Sequence, residues 1–173
     1  MVEEPQSRRW YALKLRSNFE HRAHLFCQGN DVETFLPTYK RRSRKHGGPK
    51  VLDRPLFPGY LFAHIDLGSP EKVSLLRAPG AVDLVRFGRT ASVIPDREME
   101  SVKLLTQPDS GVQPHPFLRD GMKVVVVAGP FAGAQGILKQ EEKNRKPTFV
   151  VSIEMLGRSI GVPIEPEMID VII

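Results

Sequence analysis

The clearest pattern of apolar positions lies at Leu56-Phe57-Pro58-Gly59-Tyr60-Leu61-Phe62-Ala63-His64-Ile65. From Tyr60 onward, strand alternation puts Tyr60, Phe62 and His64 on one face and Leu61, Ala63 and Ile65 on the other. Both faces are apolar, and such a strand is normally covered on both. One cover can be the chain's own helices and the other a partner. Pro58-Gly59 interrupts the ladder at the strand's start, because proline donates no hydrogen bond there and glycine often marks a bulge. Phe57 and Tyr60 are therefore candidates for re-aiming onto an exposed surface. The competing reading is an ordinary central strand with a kink.

Upstream, Arg9 to Arg16 alternates as a strand. Tyr11, Leu13 and Leu15 share a core face, while Trp10, Ala12, Lys14 and Arg16 share a face with one large aromatic and two cations. Ser17-Asn18-Phe19-Glu20 matches a capping box, in which serine and glutamate satisfy each other's backbone amides. It predicts a helix to about Gln28, stopped by Gly29, with Phe19, Ala23, Phe26 and Cys27 as its buried stripe. Val32 to Tyr39 reads as a second strand and Lys40 to Arg54 as a basic loop. Ser69-Pro70-Glu71 opens a helix, which ends before Pro79-Gly80. Val82 to Phe87 and Ala91 to Ile94 are short strands, and Pro95-Asp96 opens a helix carrying Met99, Val102 and Leu105. This order predicts an α+β domain over residues 1–106, an antiparallel-rich sheet flanked by helices.

Residues 107–116 hold Pro108, Gly111, Pro114 and Pro116 with little that is apolar, the signature of a semi-rigid linker that holds domains apart. From 117 to 173 the period changes. Met122 to Ala128, Ala134 to Gln140, Thr148 to Leu156, Arg158 to Ile164 and Met168 to Ile172 read as five short strands of a small β-barrel, with a polar hairpin tip at Lys143 to Pro147. The β-branched runs and the interrupting glycines and prolines argue against a helical form of this segment.

The chain has 173 residues and a net charge of +5. Residues 117–173 carry seven basic and seven acidic residues, so the excess belongs to the first part, where 40–54 alone hold seven basic residues and one acid. Such a run is either a solvated face or a surface that attracts phosphates. The single cysteine, Cys27, excludes an internal disulfide and fits a buried thiol in a reducing compartment. The first residues lack the apolar core of a signal peptide, and the aliphatic run Val124 to Ala128 is too short to span a membrane. Five scattered histidines, with only His21 and His24 sharing a helix face, make no metal-ligand cluster, and no phosphate-cradling Gly-rich motif is present. No cofactor and no catalysis are expected.

The chain resembles the NusG family of transcription elongation factors over nearly its whole length. The resemblance is carried by Trp10-Tyr11-Ala12-Leu13, Phe19-Glu20, Phe35-Leu36-Pro37, Leu56-Phe57-Pro58-Gly59-Tyr60 and Pro79-Gly80. Beyond the linker it is carried by Gly121-Met122-Lys123-Val124, Gly129-Pro130-Phe131-Ala132-Gly133 and Gly136, which are similar to a KOW module, an SH3-like barrel. Pro55-Leu56-Phe57-Pro58 and Val85-Arg86-Phe87-Gly88 look like the operon-specific antiterminators, including RfaH and the polysaccharide-operon paralogues.

The resemblance implies a monomeric, cytoplasmic antitermination factor. It would bind the clamp helices of RNA polymerase through Trp10, Phe57 and Tyr60, bridge the cleft and suppress pausing. Arg16 matches a position near upstream DNA, and the charge of the basic loop places Arg41, Arg42, Arg44 and Lys45 near nucleic acid, here upstream or non-template DNA. Glu71, Lys72, Val73 and Ser74 occupy the gate-loop segment but lack the paired threonines of RfaH. In the KOW module, Phe131, Leu156 and Arg158 mark the surface that in relatives binds a small-subunit ribosomal protein or Rho, with leucine in place of an aromatic at Leu156. The rival readings are a housekeeping NusG coupling to Rho or the ribosome, and a ribosome-associated RNA-binding KOW protein. The aromatic pocket is expected to be open in the free protein.

Overall fold

The computed structural model describes residues 8–43, 48–115, 117, 121–139 and 146–172. They fall into two compact units. One comprises Met1–Leu36 with Phe57–Asp96, the other Pro37–Leu56 with Arg97–Ile173.

The first unit is built on a four-stranded antiparallel sheet in the order β2-β5-β1-β6. Its strands are β1 (Arg9–Leu15), β2 (Thr34–Phe35), β5 (Tyr60–Ile65) and β6 (Ala81–Leu84). In the register of β1 with β5, Tyr11 pairs with Ala63 and Leu13 with Leu61. These residues, with Leu15, Ile65 and Leu84, form one buried cluster with Ala23 and Cys27 of α1 (Glu20–Gly29) and Leu75 of α2 (Glu71–Leu76). The alternation predicted for β1 and β5 is therefore the alternation observed, with the chain's own helices as one cover. Each fully buried aliphatic side chain contributes roughly 1.5–3 kcal/mol of transfer free energy.

The start of β5 is set by a turn, with Pro58 at its second position and Gly59 at its third. Gly59 has φ +83°, and the Tyr60 amide donates to the Phe57 carbonyl at 3.1 Å, the pattern of a type II turn that needs glycine at that position. The Gly59 carbonyl accepts from the Leu15 amide at 2.8 Å, and the Gly59 amide donates to Glu20 Oε1 at 2.8 Å. Glu20 is 5% exposed. The capping box read at Ser17-Glu20 is thus not formed. Phe19 is the N-cap without a side-chain cap hydrogen bond, and the glutamate reaches across to the turn instead. The α1 stop also differs: Gly29 is still helical, and the left-handed residue is Asp31, φ +56°. After α2, Gly80 (φ +76°) lies so close to Phe19 that an added Cβ would stand 2.4 Å from that ring.

In the second unit, the segment read as a basic loop is a two-stranded antiparallel ribbon, β3 (Thr38–Ser43) paired with β4 (Lys50–Pro55). Charge hid the pattern, because a ribbon wet on both faces carries no hydrophobic period. Arg44 and Lys45 lie outside the described residues. Helix α3 (Asp96–Leu105) follows the small hairpin β7 (Arg86–Phe87) and β8 (Thr90–Ala91). It buries Met99, Ser101, Val102 and Leu105. Ser101 Oγ donates to the Arg97 carbonyl at 2.8 Å and accepts from the Gln135 amide at 3.1 Å.

The C-terminal sheet has the order β14-β10-β11-β12-β13-β9. The five predicted strands are β10 (Met122–Val126), β11 (Gln135–Lys139), β12 (Thr148–Ile153), β13 (Arg158–Pro163) and β14 (Ile169–Val171). The sixth, β9 (Gln113–His115), comes from the stretch read as a spacer and pairs with β13. Val112 beside it is 5% exposed. Pro114 is tolerated there because β9 is an edge, where the missing N–H breaks no ladder.

We expect Glu20→Ala to lower stability by about 2 kcal/mol in urea denaturation, since it strands the Gly59 amide and removes its acceptor. Glu20→Gln, which keeps an oxygen, should recover most of that loss. A second expectation concerns Glu98 on α3, pushed up to about 7 by burial and then by Glu154. An acid whose pKa is higher folded than unfolded binds more protons in the folded state, so folding weakens as pH rises from about 4.5 to 7. Glu98→Gln should therefore match the native chain at pH ~5 and exceed it at pH ~8, by about 1 kcal/mol once solvent screening is allowed for.

Candidate functional site

The face of the first sheet opposite α1 and α2 is aromatic. Trp10 pairs in register with His64, Ala12 with Phe62 and Lys14 with Tyr60. The Trp10 and His64 rings stack at 4.9 Å between centroids, 25° apart in plane. Phe57 stands edge-on to Phe62 at 5.2 Å and 84°. Ile94 bridges to Trp10, its amide donating to the Trp10 carbonyl at 2.8 Å. The pairing of β1 with β5 thus brings Trp10 onto the face that carries Phe62 and His64, with Phe57 against it.

The expectation that Phe57 is re-aimed onto an exposed surface is corrected by burial. Phe57 is 1% exposed and Trp10 5%, whereas Tyr60 is half-buried and Pro58 is exposed. The reason lies in the turn. Clamping Gly59 between Glu20 and Leu15 lets Pro58 take the outer corner, and Phe57 is drawn in against Phe62. Phe57 and Trp10 shape this face from beneath; Tyr60 and Pro58 present it.

At its edge runs a polar network that the sequence did not signal. His64 Nδ1 and Glu33 Oε2 are 2.9 Å apart. Arg8 Nη2 donates to the His64 carbonyl at 2.8 Å and pairs with Glu71 at 3.0 Å and Glu33 at 3.5 Å. Exposed pairs of this kind add little stability one by one, but together they orient the histidine that backs Trp10. His64 was visible on the aromatic face of β5; Glu33 and Arg8 join it only through register.

The remaining candidates occupy separate places. On α2, Glu71 is held by Arg8 and accepts from the Asp66 amide at 3.3 Å, Lys72 and Ser74 are half-buried, and Val73 is 52% exposed. Arg16 is exposed at the end of β1. In the ribbon, pairing puts Tyr39, Arg41, Ser43, Lys50, Leu52 and Arg54 on one face. That face carries three cations and no acid. The opposite face holds Lys40, Arg42 and Val51, with Asp53 directly across from Lys40. In the C-terminal sheet, Leu156 is half-buried and Arg158 exposed at the β12–β13 turn, at the same sheet end as the β10–β11 turn that carries Phe131. Phe131 is buried, at 9% exposure, so its ring is withdrawn from the surface in this conformation.

His24 Nδ1 lies 2.8 Å from Thr34 Oγ1, and burial, then His21, lowers its pKa. His24 of the helix-face pair is thus tied to the sheet, while His21 is exposed. Cys27 is fully buried, and burial pushes its thiol up to about 11, which makes it unreactive. Among the described residues no group of three or more His, Cys, Asp or Glu is placed to hold a metal ion, and no helix is long and apolar enough to cross a membrane.

The "Transcription termination/antitermination protein NusG" of Thermus thermophilus is 29% identical over 174 aligned positions, covering 90% of this chain and 94% of that protein. The protein of the same description from Pseudomonas aeruginosa is 27% identical, over 92% and 96%. Of solved structures, the one described as "Domain interaction in Thermotoga maritima NusG" superposes with a TM-score of 0.55, covering 96% of this chain and 98% of that one. At 18% identity that likeness concerns the fold alone. It agrees with an α+β chain of sheets and few helices. A sequence profile described as "Transcription termination factor nusG" matches residues 8–103, more than half of the chain, and with β1 through most of α3 inside that match, the chain belongs to the NusG family.

Proposed function

We propose that this chain is a transcription elongation and antitermination factor that docks on the clamp helices of RNA polymerase, bridges its cleft and suppresses pausing. One observation carries the reading: the central sheet has a second apolar face, built of Trp10, Phe57, Phe62 and Ile94 and fronted by half-buried Tyr60. In a NusG-family chain, half-buried Tyr60 beside exposed Pro58, backed by that buried aromatic layer, fits a partner that seats an apolar side chain against the turn. The exposed Val73 with Lys72 and Ser74 on α2 is the proposed second point of attachment, on the gate loop. Glu71, already paired with Arg8, would orient that segment. Pro55-Leu56-Phe57-Pro58 and Val85-Arg86-Phe87-Gly88 favour the operon-specific branch over a housekeeping factor.

In this reading, residues 1–106 are the polymerase-binding domain and residues 117–173 a KOW domain, joined through 107–116. Leu156 and Arg158 present the KOW domain's surface for a further protein, a small-subunit ribosomal protein or Rho, and Phe131 supports that sheet end from inside. Arg16 and the ribbon lie near upstream or non-template DNA. The factor acts as a soluble monomer in the cytoplasm, without a cofactor.

Burial divides the roles of the two anchor residues, and binding to isolated clamp helices beside chemical denaturation tests the division. Tyr60→Ala should leave stability nearly unchanged and weaken binding about 30-fold, the loss of about 2 kcal/mol typical of an interface aromatic. Phe57→Ala should lower stability by about 3–5 kcal/mol. Full binding by a folded Tyr60→Ala protein would remove the polymerase assignment.

The ribbon is expected to act through charge. Replacing Arg41, Lys50 and Arg54 with glutamine strips the acid-free face of its cations. It should flatten the salt dependence of binding to a complete elongation complex by about 0.9 log units for each duplex phosphate left without its cation. Lys40→Gln, opposite Asp53, should do less. Binding to clamp helices without DNA should be unaffected in both. An unchanged salt slope would make the ribbon a solvated projection.

A further inference from the structure

The turn between β7 and β8 carries an aromatic side chain that the proposed polymerase face does not use. Phe87 is 91% exposed, more than any other large apolar side chain among the described residues. A small built hairpin holds it there. Arg86 pairs with Ala91 and Phe87 with Thr90, and Gly88 takes φ +65° at the turn. The base is clamped by one guanidinium. Arg86 Nε and Nη2 donate to Asp83 Oδ2 and Oδ1 at 3.0 and 3.1 Å, and Nη1 donates to the Arg89 carbonyl at 3.2 Å. These hydrogen bonds hold the Asp83 carboxyl below its ordinary range, so the clamp is charged on both sides at neutral pH. The hairpin thus presents the ring to solvent.

Its surroundings narrow the choice of partner. No acidic residue lies between Asp83 and Asp96, while Arg86 and Arg89 flank the ring. Gly88, Arg89 and Thr90 are all exposed, so the tip lacks the apolar surround that makes an aromatic a protein hot spot. A flat ring with a neighbouring cation suits a ligand that offers its own flat apolar face beside a negative charge. An unpaired nucleotide does so, and a duplex, whose bases are already stacked, does not. We propose that the Phe87 tip is a stacking platform for one unpaired base of a single-stranded polynucleotide, with Arg89 taking an adjacent phosphate. It uses none of the residues assigned to the polymerase face, so either assignment can fail without the other.

The test is Phe87→Trp in the full chain, which places an indole at the tip as a fluorescent reporter. The natural Trp10 is buried, so a ligand-dependent change in emission reports the tip. Titration with oligo(dT) or oligo(rU) of about 12 nucleotides should quench the Phe87→Trp protein, and a duplex of equal length should not. The two single strands separate DNA from RNA as the source. Competition against a labelled strand should show Phe87→Trp at native affinity and Phe87→Ala about tenfold weaker. Absent quenching, equal quenching by duplex, or native affinity in Phe87→Ala would each overturn the proposal. Weakened polymerase binding by Phe87→Ala with no response to single strands would assign the tip to a protein surface and overturn it as well.

Discussion

The constraint on which the first unit depends is the hydrogen bond from the Gly59 amide to the buried carboxyl of Glu20, 2.8 Å long. It ties the first residue of α1 to the turn that starts β5. The same glycine's carbonyl is tied to Leu15 at the end of β1. Helix, central strand and neighbouring strand are thus fixed to one short turn. That turn needs a left-handed glycine and a preceding proline, which the sequence supplies. With this point fixed, the two-residue period of β5 does the rest. Leu61, Ala63 and Ile65 face α1 and α2, and Phe62 and His64 face the other way.

This bond also explains why the helix start departs from its sequence signature. Ser17 and Glu20 have the spacing of a capping box, and the spacing holds no information about competitors for the glutamate. An amide at an exposed helix end is readily satisfied by water, whereas the part-buried Gly59 amide faces the buried Glu20 carboxyl, and leaving it unpaired costs about 1–3 kcal/mol. The carboxyl therefore goes to Gly59. Two further departures have the same character. The ribbon β3–β4 was invisible because both of its faces are wet. Residues 113–115 read as a spacer because Pro114 is a poor strand former, yet an edge position removes that objection. Where at least one face is buried, as in β1, β5 and β12, the apolar pattern was sufficient.

The candidate site was legible in its residue types and not in their exposure. Trp10 and Phe57 are apolar whether they anchor a partner or fill a core, and alternation assigns a face without saying how deep it lies. Depth was decided by the turn geometry, which draws Phe57 inward and leaves Pro58 and Tyr60 outside. The network of Arg8, Glu33, His64 and Glu71 joins residues far apart in sequence, and only strand register brings it together. Phe87 sat in plain view within Val85-Arg86-Phe87-Gly88, but its meaning depends on Arg86 being committed to Asp83.

Charge separates the surfaces by the kind of partner each fits. The excess positive charge lies on the ribbon, and one of its faces carries cations without a single acid. Residues 117–173 are balanced, seven basic against seven acidic. A polyanion gains most where cations gather without acids, because each neutralised phosphate releases a counterion. A balanced surface gains nothing of the kind and must rely on shape and apolar packing. The half-buried Leu156 beside the exposed Arg158 offers that combination on a small scale. Under the proposed reading, the acid-free ribbon face and the Phe87 tip between two arginines fit nucleic acid for one electrostatic reason, and the β12–β13 turn fits protein for its absence.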